Sequence, residues 1–168
     1  MEIEMIRKEL KEKLGDAERI LIGIGAEWKK GDTEREELIA KANAKLKELV
    51  DGKDYFVIST LSAEDVSRLG FDPMHIVVPF DVNLTEEQWN WYMNWLSRTL
   101  NRKLVILELG EGFAQPTIIR WPFEKTAVIN NKACLYRIHK TFYQISDEIK
   151  EKAVAVKADS AVFFAEWN

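Results

Sequence analysis

Arg19-Ile20-Leu21-Ile22-Gly23-Ile24-Gly25 and Leu104-Val105-Ile106-Leu107-Glu108-Leu109-Gly110-Glu111-Gly112 share one plan, an apolar run of strand length that ends in Gly-x-Gly. In a parallel α/β sheet such endings lie at the carboxyl edge, where glycine lets backbone N–H groups approach a phosphate with no Cβ in the way. Two of them in one chain predict a shared nucleotide crevice. A pair of tight turns without a ligand is the alternative reading.

Outward from these two runs, the chain alternates strand and helix. Ile3, Ile6, Leu10 and Leu14 recur at helical spacing over 3–14, with Gly15 as the stop before the strand at 19–24. Thr33 with Glu36 reads as a capping box that opens a helix ending near Val50. Residues 55–60 form an apolar, β-branched run, so a strand buried on both faces is expected, and Ser62 caps a short helix closed by Gly70. A strand from His75 to Val78 follows. Thr85 with Gln88 opens an aromatic helix to about Leu100, and the strand at 103–109 comes next. Pro116 suits the first turn of another helix, which Pro122 should kink or end. Strands at 133–138 and 153–156, with a helix at 145–152 between them, complete the pattern. The βαβ alternation predicts a single domain over 1–168: a doubly wound, Rossmann-like parallel α/β sheet of about six strands in the order 3-2-1-4-5-6, with helices on both faces. The crevice then falls between the first and fourth strands.

Composition narrows the function. With 168 residues and 46% hydrophobic content, the chain can bury a substantial core. A net charge of −4 argues against nucleic-acid binding, which rests on clustered Lys and Arg. The first residues alternate apolar and charged, without a signal-peptide core, and no apolar run has the length of a membrane span, so a cytoplasmic setting is expected. Cys134 is the only cysteine, which excludes an internal disulfide and a thiolate zinc cluster; no metal is expected.

Several segments together resemble the sirtuin family of NAD-dependent deacylases and ADP-ribosyltransferases, and among them the bacterial sirtuin-like proteins. Gly23-Ile24-Gly25-Ala26 is similar to the family's first phosphate loop, and 54–60, ending in Ser59-Thr60, to the strand entering its catalytic loop. Leu107 to Gly112 followed by Pro116-Thr117-Ile118-Ile119-Arg120-Trp121-Pro122-Phe123 resembles the second glycine stretch of macrodomain-linked members. Arg137-Ile138-His139 falls at their ribose site, and Ala158-Asp159-Ser160-Ala161 resembles the loop beside adenine. The resemblance implies NAD, ADP-ribose or a related nucleotide held by Gly23, Gly25, Ala26, Ser59, Thr60, Gly110, Glu111, Gly112, His139, Asp159 and Ser160. It departs in the chemistry. The segment that folds over nicotinamide is missing, Leu61 stands where the family carries a polar amide, and Pro79 and Phe80 stand near its catalytic histidine. The zinc module is absent as well. Ordinary deacylase activity is therefore not expected, and no catalytic residue is assigned.

The same residues have plainer readings. Glu27 and Glu111 bring carboxylates to the phosphate positions, where two like charges repel by roughly 4 kcal/mol at 4 Å and an effective dielectric of 20, so both must point away if an anion binds. Glu27, Glu64 or Asp65 could instead serve a residual NAD-cleaving reaction through paired carboxylates. His139 fits a ribose hydroxyl or an ordinary strand end, with Arg137 and Lys140 beside it as phosphate partners; Asp159 with Ser160 fits a helix cap or adenine. His75 reads as a half-exposed strand residue and Cys134 as a core thiol. Trp89, Tyr92, Met93, Leu96 and Leu100 share one helical face and are expected in the core, which leaves Trp91 and Trp95 on the opposite flank as a contact for a partner or a second copy. An interaction protein built on this scaffold is the second reading.

Overall fold

The two glycine-ended runs lie side by side in one sheet. The computed structural model describes residues 2–168. Its strands are Arg19–Ile24 (β1), Tyr55–Ser59 (β2), Ile76–Val77 (β3), Leu104–Leu109 (β4), Ala133–His139 (β5) and Ala153–Lys157 (β6). All pair in parallel in the order β3-β2-β1-β4-β5-β6, the doubly wound order expected. The helices are Ile3–Asp16 (α1), Thr33–Val50 (α2), Ala63–Ser67 (α3), Glu86–Ser97 (α4), Arg120–Ile129 (α5) and Ser160–Ala165 (α6). Among the described residues no helix is long and apolar enough to cross a membrane.

Alternation along β1 divides the core. Ile20, Ile22 and Ile24 join one apolar cluster with α1, α2 and α6, whereas Leu21 joins the other with α4 and α5. Both faces of the central strands are covered, which is why their sequences read as unbroken apolar runs. Gly23 lies on the side of Leu21. A Cβ there would meet Ile119 Cγ2 and the Phe123 ring at 2.7 Å, so this glycine seats α5 against the sheet.

The local signals were partly displaced. Asp32, not Thr33, caps α2 by accepting from Arg35 N, and α1 runs through Gly15 to Asp16. Thr85 and Gln88 do form the capping box of α4. Pro122 lies in the first turn of α5, where its missing N–H leaves no bond unmade, so it neither kinks nor ends the helix. His75 belongs to a 3₁₀ turn that shortens β3 to two residues. The helix expected at 145–152 is a single 3₁₀ turn at 147–149. The chain before it wraps a buried guanidinium instead: Gln144 O accepts from Arg137 Nη1 at 2.9 Å.

The aromatic helix is turned from its expected orientation. Tyr92 is buried and Leu96 packs beside it, but Trp95 also reaches inward over the amino end of the sheet, against Phe56, with Nε1 donating to Asp54 Oδ1 at 2.7 Å. Trp91 is exposed. Trp89, Met93 and Leu100, expected in the core, are exposed too. The anticipated Trp91/Trp95 flank is thus divided, one ring outside and one bonded within the chain.

Gly23→Ala should cost about 1–3 kcal/mol through overpacking against movable side chains. Gly25→Ala should cost more, because a Cβ there would lie 2.7 Å from the Gly110 carbonyl oxygen, which is main chain. Urea unfolding of the two variants tests this order; equal costs would refute it.

Candidate functional site

β1 and β4 are adjacent where the strand order reverses, the place at which a doubly wound sheet opens a crevice at its carboxyl edge. Gly25 N donates to Leu109 O and Gly110 N to Ile138 O, each at 2.9 Å, so the two bends are extensions of the ladder. They also touch: the space a Gly25 Cβ would need is taken by Gly110 O and, at 2.8 Å, Glu111 Cα. Gly110 has φ +70°, and a Cβ on it would lie 2.5 Å from Glu27 Cβ.

Glu27 follows the first bend and points inward, contrary to what an anion site requires. Only 7% exposed, its Oε1 accepts from Ser160 N and Ser160 Oγ, both at 2.7 Å, and its Oε2 accepts from Lys140 N at 3.0 Å. Trp28 Nε1 donates to the same Ser160 hydroxyl at 2.9 Å. The 3₁₀ turn Ala26–Trp28 is thereby fastened across the deep end of the crevice. Asp159 is the N-cap of α6, accepting from Ala161 N and Val162 N, and it pairs with Arg35 at 3.0 Å. Ser59 is fully buried and does not line the opening; its hydroxyl donates to Ile24 O at 2.8 Å and ties the ends of β1 and β2.

Outside this fastening lies a cleft of about 600 Å³, which Ala26, Thr60, Glu111, Gly112 and His139 line together. Of the eleven residues expected at the site, the cleft brings together these five. Glu111, after the second bend, is only 4% exposed and accepts from Thr60 Oγ1 at 2.8 Å. Burial pushes its pKa up to about 7; the Thr60 hydroxyl works against that rise and the Glu108 charge adds to it. A carboxyl poised there can donate or accept at neutral pH. His139 Nδ1 accepts from Thr141 N at 2.9 Å and Phe142 N at 2.8 Å, which places the proton on Nε2. Burial holds its pKa below the ordinary imidazole value, so the ring is neutral, with an N–H for the cleft.

Arg137 does not face this cleft. It bonds Glu108 in register across β4 and β5, through Nε at 2.6 Å and Nη2 at 2.9 Å. Arg120, which the sequence reading passed over, supports the cleft from behind: Nη1 donates to Glu111 O at 3.4 Å and Phe142 O at 3.0 Å, and its guanidinium lies 4.0 Å from the centre of the Phe113 ring. A signal for this network existed. Glu108 interrupts an otherwise apolar buried strand, and a buried carboxylate demands a cation. Phe113 and Phe142 at the rim, and Lys29, among the described residues the only lysine or arginine lining the cleft, carried no comparable signal. Among the described residues no three His, Cys, Asp or Glu side chains are placed to share a metal ion.

No protein-family model matches the chain, and no curated protein is detectably similar to it.

Glu111 sets a pH dependence. With its pKa raised in the folded state, the group favours folding below the usual carboxylate range, and that contribution fades as pH rises toward about 7. Glu111→Gln should therefore match the parent near pH 4 and exceed its stability at pH 8 by roughly 3 kcal/mol, from 1.36 kcal/mol per unit. Urea unfolding at both pH values checks this; a constant difference across the range would contradict it.

Proposed function

We propose that this chain binds a nucleotide of the ADP-ribose or NAD type in the cleft at the carboxyl edge of β1 and β4, as a sirtuin-like protein without ordinary deacylase chemistry. The observation that carries the reading is the contact between the Gly25 and Gly110 bends beside a cleft holding a carboxyl tuned to about 7 and a neutral imidazole. A perturbed carboxyl in a cleft is a physical mark of a functional site. The Glu111 carboxyl and His139 Nε2–H suit ribose hydroxyls, and the exposed rings of Phe113 and Phe142 suit a base. Glu27 alters where the phosphates go. Because its carboxylate already takes Ser160 N and Lys140 N, a pyrophosphate lies farther out, toward Lys29.

Thermal unfolding with NAD, ADP-ribose, ATP and adenosine tests the reading. At about 100 times Kd a ligand stabilises the fold by about 2.7 kcal/mol, roughly a 5–10 °C rise in Tm for a chain of this size. Lys29→Glu should weaken the phosphate-bearing ligands and spare adenosine. No shift with any of the four overturns the proposal.

A second reading, self-association, is favoured by the outer face of α4, the turn after it and α5, where Met93 is 45%, Leu100 52% and Ile129 58% exposed around an apolar groove. On this reading the contact lies there, and not at Trp91 with Trp95. Met93→Lys combined with Ile129→Lys should then reduce the solution mass measured by light scattering to that of one chain. A parent already of that mass removes the reading.

A further inference from the structure

The two edges of the sheet are unlike. β3 is two residues long behind a 3₁₀ turn that starts at Pro73, a short edge of the kind that resists pairing. β6 is five residues long and ends the strand order on the other side. Leu135 N donates to Lys152 O, so in this parallel pair the even-numbered residues of β6 bond β5, and the N–H and C=O groups of Ala153, Ala155 and Lys157 point away from it. Among the described residues no main-chain bond from another element reaches those groups, and Ala155 and Lys157 are exposed.

An open edge of this length is a template for another strand, and lysines are a common guard against that. Both lysines of β6 and its approach are engaged within the chain. Lys152 Nζ donates to Ala127 O at 2.6 Å and Asn130 O at 2.9 Å, and Lys157 Nζ lies 5.8 Å from the centre of the Tyr143 ring. Between them the edge is small and apolar, Ala153-Val154-Ala155-Val156.

The charges at its ends identify the partner. Exposed Glu151 precedes the strand and Lys157 closes it, so the stretch 151–157 complements itself when reversed. A second copy, antiparallel and centred on Val154, sets Lys157 of each chain against Glu151 of the other and Ala155 against Ala153. In that register outward-pointing residues meet outward-pointing residues, as an antiparallel ladder requires. Centring on Ala155 also matches them, but it brings Glu151 against Asp159, two like charges. A pattern that matches its own reverse is what a twofold contact needs.

We propose that β6 pairs antiparallel with β6 of a second copy about a twofold axis at Val154, joining two six-stranded sheets into one. Because the paired strands run in opposite directions, the carboxyl-edge clefts of the two copies open on opposite edges of the joined sheet. The contact does not rest on the nucleotide reading, and it uses a different surface from α4 and α5.

The test uses the full chain with Cys134→Ala, into which Val154→Cys or Ala155→Cys is introduced before mild oxidation. Two Val154 Cα atoms facing each other in a non-hydrogen-bonded pair lie about 4.5 Å apart, within disulfide reach, whereas the two Ala155 Cα atoms, displaced by two residues along the strands, lie beyond about 7 Å. Val154→Cys should therefore give a covalent dimer and Ala155→Cys should not. In the parent chain, followed by sedimentation equilibrium, Lys157→Glu should raise the dimer Kd about tenfold by turning two opposite-charge pairs into like-charge pairs, and adding Glu151→Lys should restore it. That rescue separates pairing across the axis from a structural role of either side chain. A parent chain that stays monomeric at every concentration, a disulfide at Ala155 in place of Val154, or no rescue by the charge swap would each overturn the proposal. The charge swap decides even if a cysteine variant does not fold.

Discussion

The main chain at Gly25 rests directly on the carbonyl of Gly110, and this backbone-on-backbone contact governs what happens at the carboxyl edge of the sheet. Two adjacent strands can end this close together only if neither bend carries a side chain toward the other. Because they do, the residues just beyond the bends are delivered to one small region: Glu27 to the amide of Ser160, Glu111 to the hydroxyl of Thr60. The positive φ at Gly110 serves the same end, since the volume its Cβ would occupy is taken by the stem of Glu27.

The buried charges behind this edge form a connected system. Glu108 and Arg137 bind each other bidentately inside the sheet, and Arg120 joins them to the carbonyls of Glu111 and Phe142. A pair so deeply buried gains little net stability over an apolar one, because desolvation offsets most of the attraction. Its effect is positional. One guanidinium holds the backbone on both sides of the cleft, and the neighbouring Glu108 charge makes ionisation of Glu111 harder.

Much of the fold was legible because its signals are local. Continuous apolar runs mark strands covered on both faces, and Ser62, Thr85 and Asp159 reveal helix starts because a cap is a bond between a side chain and the backbone two or three residues away. What was not legible depends on partners distant in sequence. Trp95 turns inward because Asp54 and Phe56 await it, some 40 positions earlier, and the helix expected at 145–152 shrinks to the 3₁₀ turn at 147–149 behind a stretch whose Gln144 carbonyl is taken by Arg137. The same holds at the site. Nothing near Glu27 in the sequence announces that its oxygens will meet Ser160, 133 residues away, or that Ser59 will be used to tie two strands.

The inward turn of Glu27 also constrains the chemistry of whatever enters the cleft. A carboxylate in a nest of N–H donors does the electrostatic work that a bound phosphate does elsewhere, so the deep end of this crevice is already neutralised. A second anion brought to the same donors would meet that charge at close range, with Glu111 beside it. On the proposed nucleotide reading, the part of the ligand facing Glu27 would be uncharged and rich in hydroxyl groups, with any phosphate at the rim. It also links binding to Glu111: a ligand that accepts a hydrogen bond from its carboxyl holds the proton there and raises the pKa further, whereas one that donates lowers it. The direction of proton uptake or release on binding therefore reports which side of the hydrogen bond the ligand supplies.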